Sequence, residues 1–175
     1  LGASFETAAG LVVSNTHMFN HALAKGGLFL AVACLASQYR DLRLDQLAGA
    51  ARTMPLTAAA VVVCGFSLIG IPGTAGFISK WLLIAAAMDQ GPLAYALVAV
   101  ILVSSLMALV YVWRVVETLY FKPAAVDPEG PGEAPLQLLL VTWAVALANI
   151  VFGLFPQFPM ALSSSAARLL MERIQ

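Results

Sequence analysis

Three side chains that can carry charge share one otherwise apolar stretch of the sequence, HMFNHALAKGGLFL at residues 17–30. They are His17, His21 and Lys25, spaced four residues apart, and this spacing places them on one face of an α-helix. Histidine titrates near neutral pH, and dehydration can bring the pKa of a lysine towards the physiological range. A row of such groups can pass protons, because water bridges gaps that are too wide for a direct hydrogen bond.

Other polar side chains extend or border this row. Glu6 lies eleven residues before His17, which returns it to within about 20° of the same helical face. Ser14 and Asn20 border the face, and all three are predicted to line the same path. One alternative is a packed histidine pair with a lysine that reaches the membrane surface. Another is a shared metal ion, but no third ligand is evident, so no metal site is predicted.

The composition indicates a membrane protein. Of the 175 residues, 61% are hydrophobic and 10% are charged, whereas soluble domains carry about 25% charged residues. Nine basic residues balance nine acidic ones, so neither a nucleic-acid surface nor an acidic tail is indicated. Cys34 and Cys64 lack a metal or redox spacing and are predicted to be small buried residues. The absence of an initiator Met and of a signal peptide predicts a fragment of a longer polytopic protein.

The elements that must hold these side chains are predicted to be membrane helices. A helix needs roughly 20 apolar residues to span a bilayer, and the charge-free runs at residues 93–113 and 136–155 meet this length. Residues 5–37 form one long helical candidate. The mixed tail at residues 156–175 is predicted to lie at the membrane interface. Arg114 and Glu117, three residues apart near a helix end, are predicted to form an interfacial ion pair.

A predicted break divides the apolar segment at residues 55–88. The sequence GIPGTAG contains Gly70, Pro72, Gly73 and Gly76, and these residues disfavour a continuous helix. Two half-helices are therefore predicted at residues 55–69 and 75–89. Non-helical backbone inside a membrane is tolerated only where protein or water satisfies its polar groups, which is why broken helices mark transport paths. The alternative is two separate short helices joined at the surface.

One lysine follows this break. Lys80 is succeeded by WLLIAAAM before the next charged residue, so its ammonium is predicted to lie at membrane depth. An ammonium there needs water, carbonyl oxygens or a carboxylate partner.

Four motifs carry a family resemblance: HMFNHALAKGGLFL, RDLRLDQLAGAARTMPL, GIPGTAGFISKWLL and VYVWRVVETLYF, in this order. Together they resemble the antiporter-like membrane subunits shared by respiratory complex I and the Mrp cation/proton antiporters, and the last two are most similar to the Mrp branch. The resemblance covers nearly the whole chain up to Lys122. It implies an all-α, polytopic transmembrane helix bundle with about four membrane segments, one of them discontinuous, within an inverted-repeat transporter fold.

The resemblance also implies a domain division and a proton path. Residues 1–122 would form the later part of the second repeat, followed by a loop at 123–135, a transmembrane helix at 136–155 and an amphipathic tail at 156–175. In the family, an H-x-x-x-H-A-x-x-K helix and the lysine after the broken helix belong to a hydrated proton path. These motifs are matched by His17, His21, Lys25 and Lys80. Many relatives carry a larger side chain at the position of Ala24 and a bulkier break, but neither difference removes a titrating group.

The expected function is therefore a proton-translocating subunit of an Mrp-type cation/proton antiporter, with no cofactor and no covalent chemistry of its own. The expected partners are other membrane subunits of a hetero-oligomeric complex, protons, sodium or another monovalent cation, and the lipid bilayer, but not nucleic acid. The expected location is a bacterial cytoplasmic membrane. The alternatives are a proton-pumping subunit of complex I or of a related hydrogenase complex, and a structural scaffold without transport.

Overall fold

The computed structural model describes residues 8–89, 91–123 and 132–172. Within these residues every regular element is helical, in the order α1 Ala8–Gln38, α2 Pro55–Ile69, α3 Ala75–Met88, α4 Ala94–Tyr120, α5 Leu136–Leu154 and α6 Gln157–Glu172. Short 3-10 turns lie at Ala50–Arg52 and Gly91–Leu93, and the second contains Pro92. The predicted all-α helix bundle is confirmed.

Among the described residues, three stretches are long and apolar enough to cross a membrane: Ala9–Ala36, Gly91–Tyr120 and Leu136–Leu154. The helices α2 and α3 are apolar but have only 15 and 14 residues, short of the roughly 20 that a spanning helix needs. Counted together, α2 and α3 supply the predicted discontinuous segment. Its halves begin and end within one residue of the predicted bounds.

Helix α1 lies at the centre of the bundle and packs against α2, α3, α5 and α6, while α4 packs against α2 and α3. Small side chains allow this close packing. A Cβ atom on Gly27 would overlap the Sγ atom of Cys64, and one on Gly65 would lie 2.7 Å from Val112 Cγ1. In membrane helices such small residues let backbones approach each other, because packing contributes where the hydrophobic effect between helices is absent. Both cysteines are buried and reduced.

The start of α2 is capped by a residue distant in sequence. The carboxylate of Glu133 accepts hydrogen bonds from the backbone N–H of Leu56 at 2.8 Å and from the hydroxyl of Thr57 at 2.5 Å. The carbonyl oxygen of Glu133 accepts a bond from Gln38 Nε2 at 3.3 Å. A carboxylate is stabilising at a helix N-terminus, where backbone N–H groups lack partners. Glu133 therefore joins the end of α1, the start of α2 and the segment before α5.

The predicted ion pair between Arg114 and Glu117 is wrong. Within the described ranges the only ion pair joins Arg43 and Asp45 at 3.1 Å, in the connection between α1 and α2. Arg114 and Glu117 are both exposed. An exposed pair gains only about 0–1 kcal/mol against the entropy of holding two long side chains together, so the spacing alone does not enforce the contact.

The tail after α5 is helical over Gln157–Glu172 and packs against α1. Its side chains at Pro159, Ser163 and Ala167 are buried, at intervals of four residues that mark one helical face. The proposed interfacial position of this tail, like the division of the chain into domains, stays a prediction.

Candidate functional site

The break between α2 and α3 is a defined backbone structure. Gly70 has a φ of 91° and ends α2 in the left-handed region, which glycine enters without a Cβ clash. The backbone N–H groups of Gly70 and Ile71 both donate to the carbonyl of Phe66 at 3.0 Å, and this pairing satisfies a carbonyl at the helix end. Gly73 also has a left-handed φ of 89°, and the neighbouring Pro72 is exposed.

The backbones of neighbouring helices pack directly against the residues of the break. A Cβ atom on Gly76 would overlap the carbonyl oxygen of Ser67 in α2, and one on Gly153 in α5 would overlap the backbone of Thr74. From α1, the buried side chain of Asn20 donates through Nδ2 to the carbonyl of Ala75 at 2.7 Å. Three helices therefore fix the turn from which α3 and its side chains begin.

Lys80 lies on α3, and its half-buried ammonium turns back to the break. The nitrogen Nζ donates to the carbonyls of Leu68 at 3.0 Å and Ile69 at 2.8 Å, and to the hydroxyl of Ser105 at 2.8 Å. The two carbonyls belong to the last turn of α2, where carbonyls lack helical partners and the helix dipole favours a cation. All three acceptors are uncharged. Among the described residues, no carboxylate forms an ion pair with this ammonium.

Gly70 also makes room for this lysine. A Cβ atom at residue 70 would lie 2.9 Å from Cδ of Lys80, closer than two non-bonded carbon atoms normally approach. The glycine thus serves both the left-handed turn and the passage of the lysine side chain along the break.

His17 on α1 contacts the helix that carries Lys80. Its Nδ1 atom lies 3.1 Å from the hydroxyl of Ser79, and that hydroxyl donates to the carbonyl of Gly76 at 3.1 Å. When the hydroxyl of Ser79 gives its single proton to Gly76, Nδ1 of His17 is the donor to Ser79, and when that hydroxyl rotates towards His17, Nδ1 is the acceptor. In a neutral imidazole with a proton on Nδ1, the other nitrogen, Nε2, is a proton acceptor.

The second histidine follows one turn later. The rings of His17 and His21 have centroids 5.7 Å apart at an interplanar angle of 31°. No hydrogen bond joins the two rings in the described residues, and one water molecule is enough to bridge rings at this separation. His21 is exposed in the described chain. The pair thus extends from the contact with Ser79 towards an open face of α1.

A cavity of about 810 Å³ between α1 and α4 brings these groups together, and we call it the histidine cavity. The polar or titratable residues in its lining are Ser14, His17, His21, Lys80, Ser104 and Tyr111. A space of this size holds many water molecules, since one occupies about 30 Å³ in the liquid. Lys80 follows His21 by 59 residues in sequence, yet it faces the same space as both histidines, and water can fill that space.

The remaining predicted site residues lie elsewhere. Lys25 is exposed on α1, one turn beyond His21, and does not line the histidine cavity. Asn20 is buried at the break rather than in the cavity lining. Glu6 lies outside the described residues. In the part of the chain that the structure describes, no three His, Cys, Asp or Glu side chains are grouped as a metal site would require.

Two serines of this site were not predicted as site residues from the sequence. Ser79 contacts His17, and Ser105 contacts Lys80. A signal was present for Ser105, because SS at residues 104–105 interrupts an otherwise apolar run, and polar side chains in a spanning helix usually face a partner. No comparable signal marks Ser79, which follows two apolar residues at the start of an ordinary helix.

Proteins of similar sequence include some that are named as subunit N of an oxidoreductase or of a dehydrogenase. The chain is 35% identical over 167 residues to NADH-quinone oxidoreductase subunit N of Desulforudis audaxviator, with 89% of this chain and 33% of the relative covered. It is 31% identical over 162 residues to F(420)H(2) dehydrogenase subunit N of Methanosarcina mazei, covering 86% of this chain and 32% of that protein. The chain thus spans about a third of the length of these curated relatives.

Solved structures similar to this chain include a chain of an Mrp complex and a chain of respiratory complex I. A chain of the Mrp complex from Dietzia sp. DQ12-45-1b superposes with a TM-score of 0.81 at 27% identity, covering 92% of this chain and 38% of that one. A chain of respiratory complex I from Thermus thermophilus gives 0.68 at 24% identity, covering 88% and 36%, and shows the same fold.

The family model described as NADH:quinone oxidoreductase/Mrp antiporter, transmembrane, matches residues 1–108. These residues include α1, the break and the first half of α4, and so the whole lining of the histidine cavity except Val110 and Tyr111. The chain belongs to the NADH:quinone oxidoreductase/Mrp antiporter membrane family.

Proposed function

We propose that this chain is part of a proton-translocating membrane subunit, in which His17, His21 and Lys80 exchange protons through water in the histidine cavity. The observation that carries the proposal is the shared cavity itself, whose lining includes both histidines and Lys80. Ionisable groups inside membrane segments are costly and usually serve ion or proton pathways. A purely structural bundle gains nothing from exposing three of them to one cavity.

The electrostatics of Lys80 support this function. A carboxylate partner would hold the ammonium in its charged form, but the partners here are two carbonyls and a hydroxyl. These neutral acceptors offset part of the cost of dehydrating the ammonium, but they favour its charged form less strongly than a carboxylate would. Lys80 can therefore release and regain a proton within the same set of contacts.

The two histidines connect Lys80 to the part of α1 that carries Lys25. His17 is held by Ser79, the residue next to Lys80, and His21 lies one turn further along. Lys25 continues this row by another turn, and we propose that the path follows it, with Glu6, Ser14 and Asn20 as polar neighbours. The break at Gly70, Pro72, Gly73 and Gly76 would lie at membrane depth, where it offers its free carbonyls to the path.

Changing both histidines tests the proposal. His17→Ala combined with His21→Ala is expected to lower proton flux by about a hundredfold, the scale of losing a positioned proton-transfer group. Each single change should cost much less, because water in the cavity can bridge one missing ring. Flux is measured in vesicles that carry the whole complex at matched subunit content. Met18→Ala, which changes an apolar residue of the same cavity lining, serves as the control.

Wild-type flux from the double histidine variant would contradict a path through these rings. In that case the histidines would be packing residues, and Ser79 would be a structural contact of His17 only.

The assembly around this subunit has two candidates. The sequence relatives at 31–35% identity carry names of redox complexes, which favours a proton-pumping oxidoreductase over the Mrp-type antiporter expected from the motifs. The Mrp complex nevertheless gives a TM-score of 0.81, against 0.68 for complex I. In the Mrp case the subunit would exchange sodium or another monovalent cation for protons. A bacterial cytoplasmic membrane is the proposed location in both cases.

Purification of the native complex distinguishes these assemblies. We expect flavin- or iron–sulfur-containing subunits to copurify with the full-length protein in mild detergent, detected by their visible absorbance and by mass spectrometry. Copurification with small hydrophobic subunits alone, in a complex that lacks such absorbance, would instead identify the cation/proton antiporter.

A further inference from the structure

The three partners of the Lys80 ammonium are not equivalent. The carbonyl oxygens of Leu68 and Ile69 can only accept hydrogen bonds, whereas the hydroxyl of Ser105 can accept or donate. Ser105 accepts from Nζ at 2.8 Å and gives its own proton to the carbonyl of Ile101 at 3.1 Å. Of the three partners that Lys80 has in the described residues, only Ser105 can therefore change from acceptor to donor.

With the lysine charged, every hydrogen bond is made. The ammonium has three N–H donors and meets three acceptors at 2.8–3.0 Å. The hydroxyl proton of Ser105 is also satisfied by Ile101. The protonated state of this site thus needs no further partner.

With the lysine neutral, the same groups can again satisfy each other. When one Nζ–H bond breaks, the proton passes to water or to a histidine ring nitrogen in the cavity, and the electron pair stays on Nζ. The two remaining N–H groups keep the carbonyls of Leu68 and Ile69. Rotation about the Cε–Nζ bond turns the lone pair to Ser105, whose hydroxyl rotates from Ile101 to donate to it. The Ile101 carbonyl retains the backbone bond of the helix.

We infer that Ser105 is a positioning residue that gives Lys80 a hydrogen-bond partner in both of its protonation states. The inference rests on the proposed function, since it concerns a lysine that cycles. Without the hydroxyl of Ser105 the lone pair of the neutral amine would lack a donor among these three partners, and the charged form would lack one acceptor. The release and the return of the proton would both become less favourable.

The bond from Ser105 to Ile101 alone would not support this role. Hydroxyl groups in helices commonly donate to the carbonyl four residues earlier, and Thr16, Thr118, Thr142 and Ser163 do so here. None of these four accepts a hydrogen bond from a lysine in the described residues. The acceptance from Lys80 is the feature that separates Ser105 from an ordinary helical hydroxyl.

A set of serine variants tests the inference in vesicles that carry the whole complex. Ser105→Ala is expected to lower proton flux by about tenfold, the scale of one hydrogen bond to a charged group. Ser105→Thr should restore flux close to that of the wild type, because it keeps the hydroxyl, and Ser105→Val, with nearly the same shape as threonine, should not. Thr118→Val is the matched control, since Thr118 on the same helix also gives its hydroxyl proton to the carbonyl four residues earlier but neither bonds Lys80 nor lines the histidine cavity.

The outcomes separate this inference from the proposed function. Equal proton flux from Ser105→Thr and Ser105→Val would overturn the role of the hydroxyl. Wild-type flux from Ser105→Ala or Ser105→Val, in a variant that assembles, would also overturn it. Both results leave the path through Lys80 intact if Lys80→Ala still abolishes flux. Wild-type flux from Lys80→Ala would remove the proposed function itself.

Discussion

Lys80→Arg is expected to stop most proton movement while the subunit still enters its complex. An arginine keeps the positive charge but stays protonated at every physiological pH, so it can satisfy the end of α2 without cycling. We expect flux to fall by about a hundredfold or more, as for loss of a positioned acid–base group. Lys80→Ala should be equally inactive, because it removes the group that releases and regains the proton. The subunit should still assemble, because the cavity next to Leu68 lets water replace the ammonium at the free carbonyls.

The comparison of the two variants decides what Lys80 does. Flux is measured in vesicles at matched subunit content, and Lys122→Arg, a change at an exposed lysine beyond the end of α4, is the control. If Lys80→Ala were inactive and Lys80→Arg normal, the lysine would be a fixed cap on the C-terminus of α2. That result would retain the fold described here but remove protonation from the role of Lys80.

The helices and the break could be predicted because their signals are local. Glycine and proline disfavour helix at the residues where they occur, so GIPGTAG located the break and the half-helices on either side. Runs of about 20 apolar residues likewise predict membrane spans from length alone. In the structure the half-helices are Pro55–Ile69 and Ala75–Met88. Local chemistry was sufficient for these features.

The contacts within the site could not be predicted in the same way. In a soluble helix, apolar periodicity shows which face is buried, but a membrane helix is apolar towards both lipid and its neighbours. The sequence therefore does not show that Ser79 faces His17, or that Ser105 faces Lys80. Both contacts depend on how α3 leaves the break, and that direction is set by the close approach of Gly76 to Ser67.

The position of Lys25 shows the limit of the helical spacing argument. The spacing correctly places His17 and His21 beside each other, because residues four apart are neighbours on a helix. The same rule does not decide how far a cavity extends along that face. The histidine cavity reaches His21 but not Lys25, which is exposed, so the role of Lys25 depends on what faces it in the complete subunit.

Lys25→Arg is expected to lower proton flux by about a hundredfold without loss of assembly. Lys25 follows His21 by one helical turn and is exposed in the described chain, so it can meet water or further segments of the full-length subunit. An ammonium inside a membrane segment is tolerated only with such compensation, and water that hydrates it also carries protons. Arginine retains the charge on a slightly longer side chain but cannot release its proton. Lys25→Arg therefore distinguishes a lysine that must release and regain its proton from a lysine that acts only as a fixed positive charge.

Proton flux in vesicles that carry the whole complex provides the measurement, with Lys122→Arg as the matched control. Lys25→Gln, which removes the charge, should be as inactive as Lys25→Arg if cycling is required. A fixed charge predicts a different pair of results, with Lys25→Gln impaired and Lys25→Arg normal. Normal flux from both variants would indicate a lysine that reaches the membrane surface through its flexible chain, and the proton path would then end at His21.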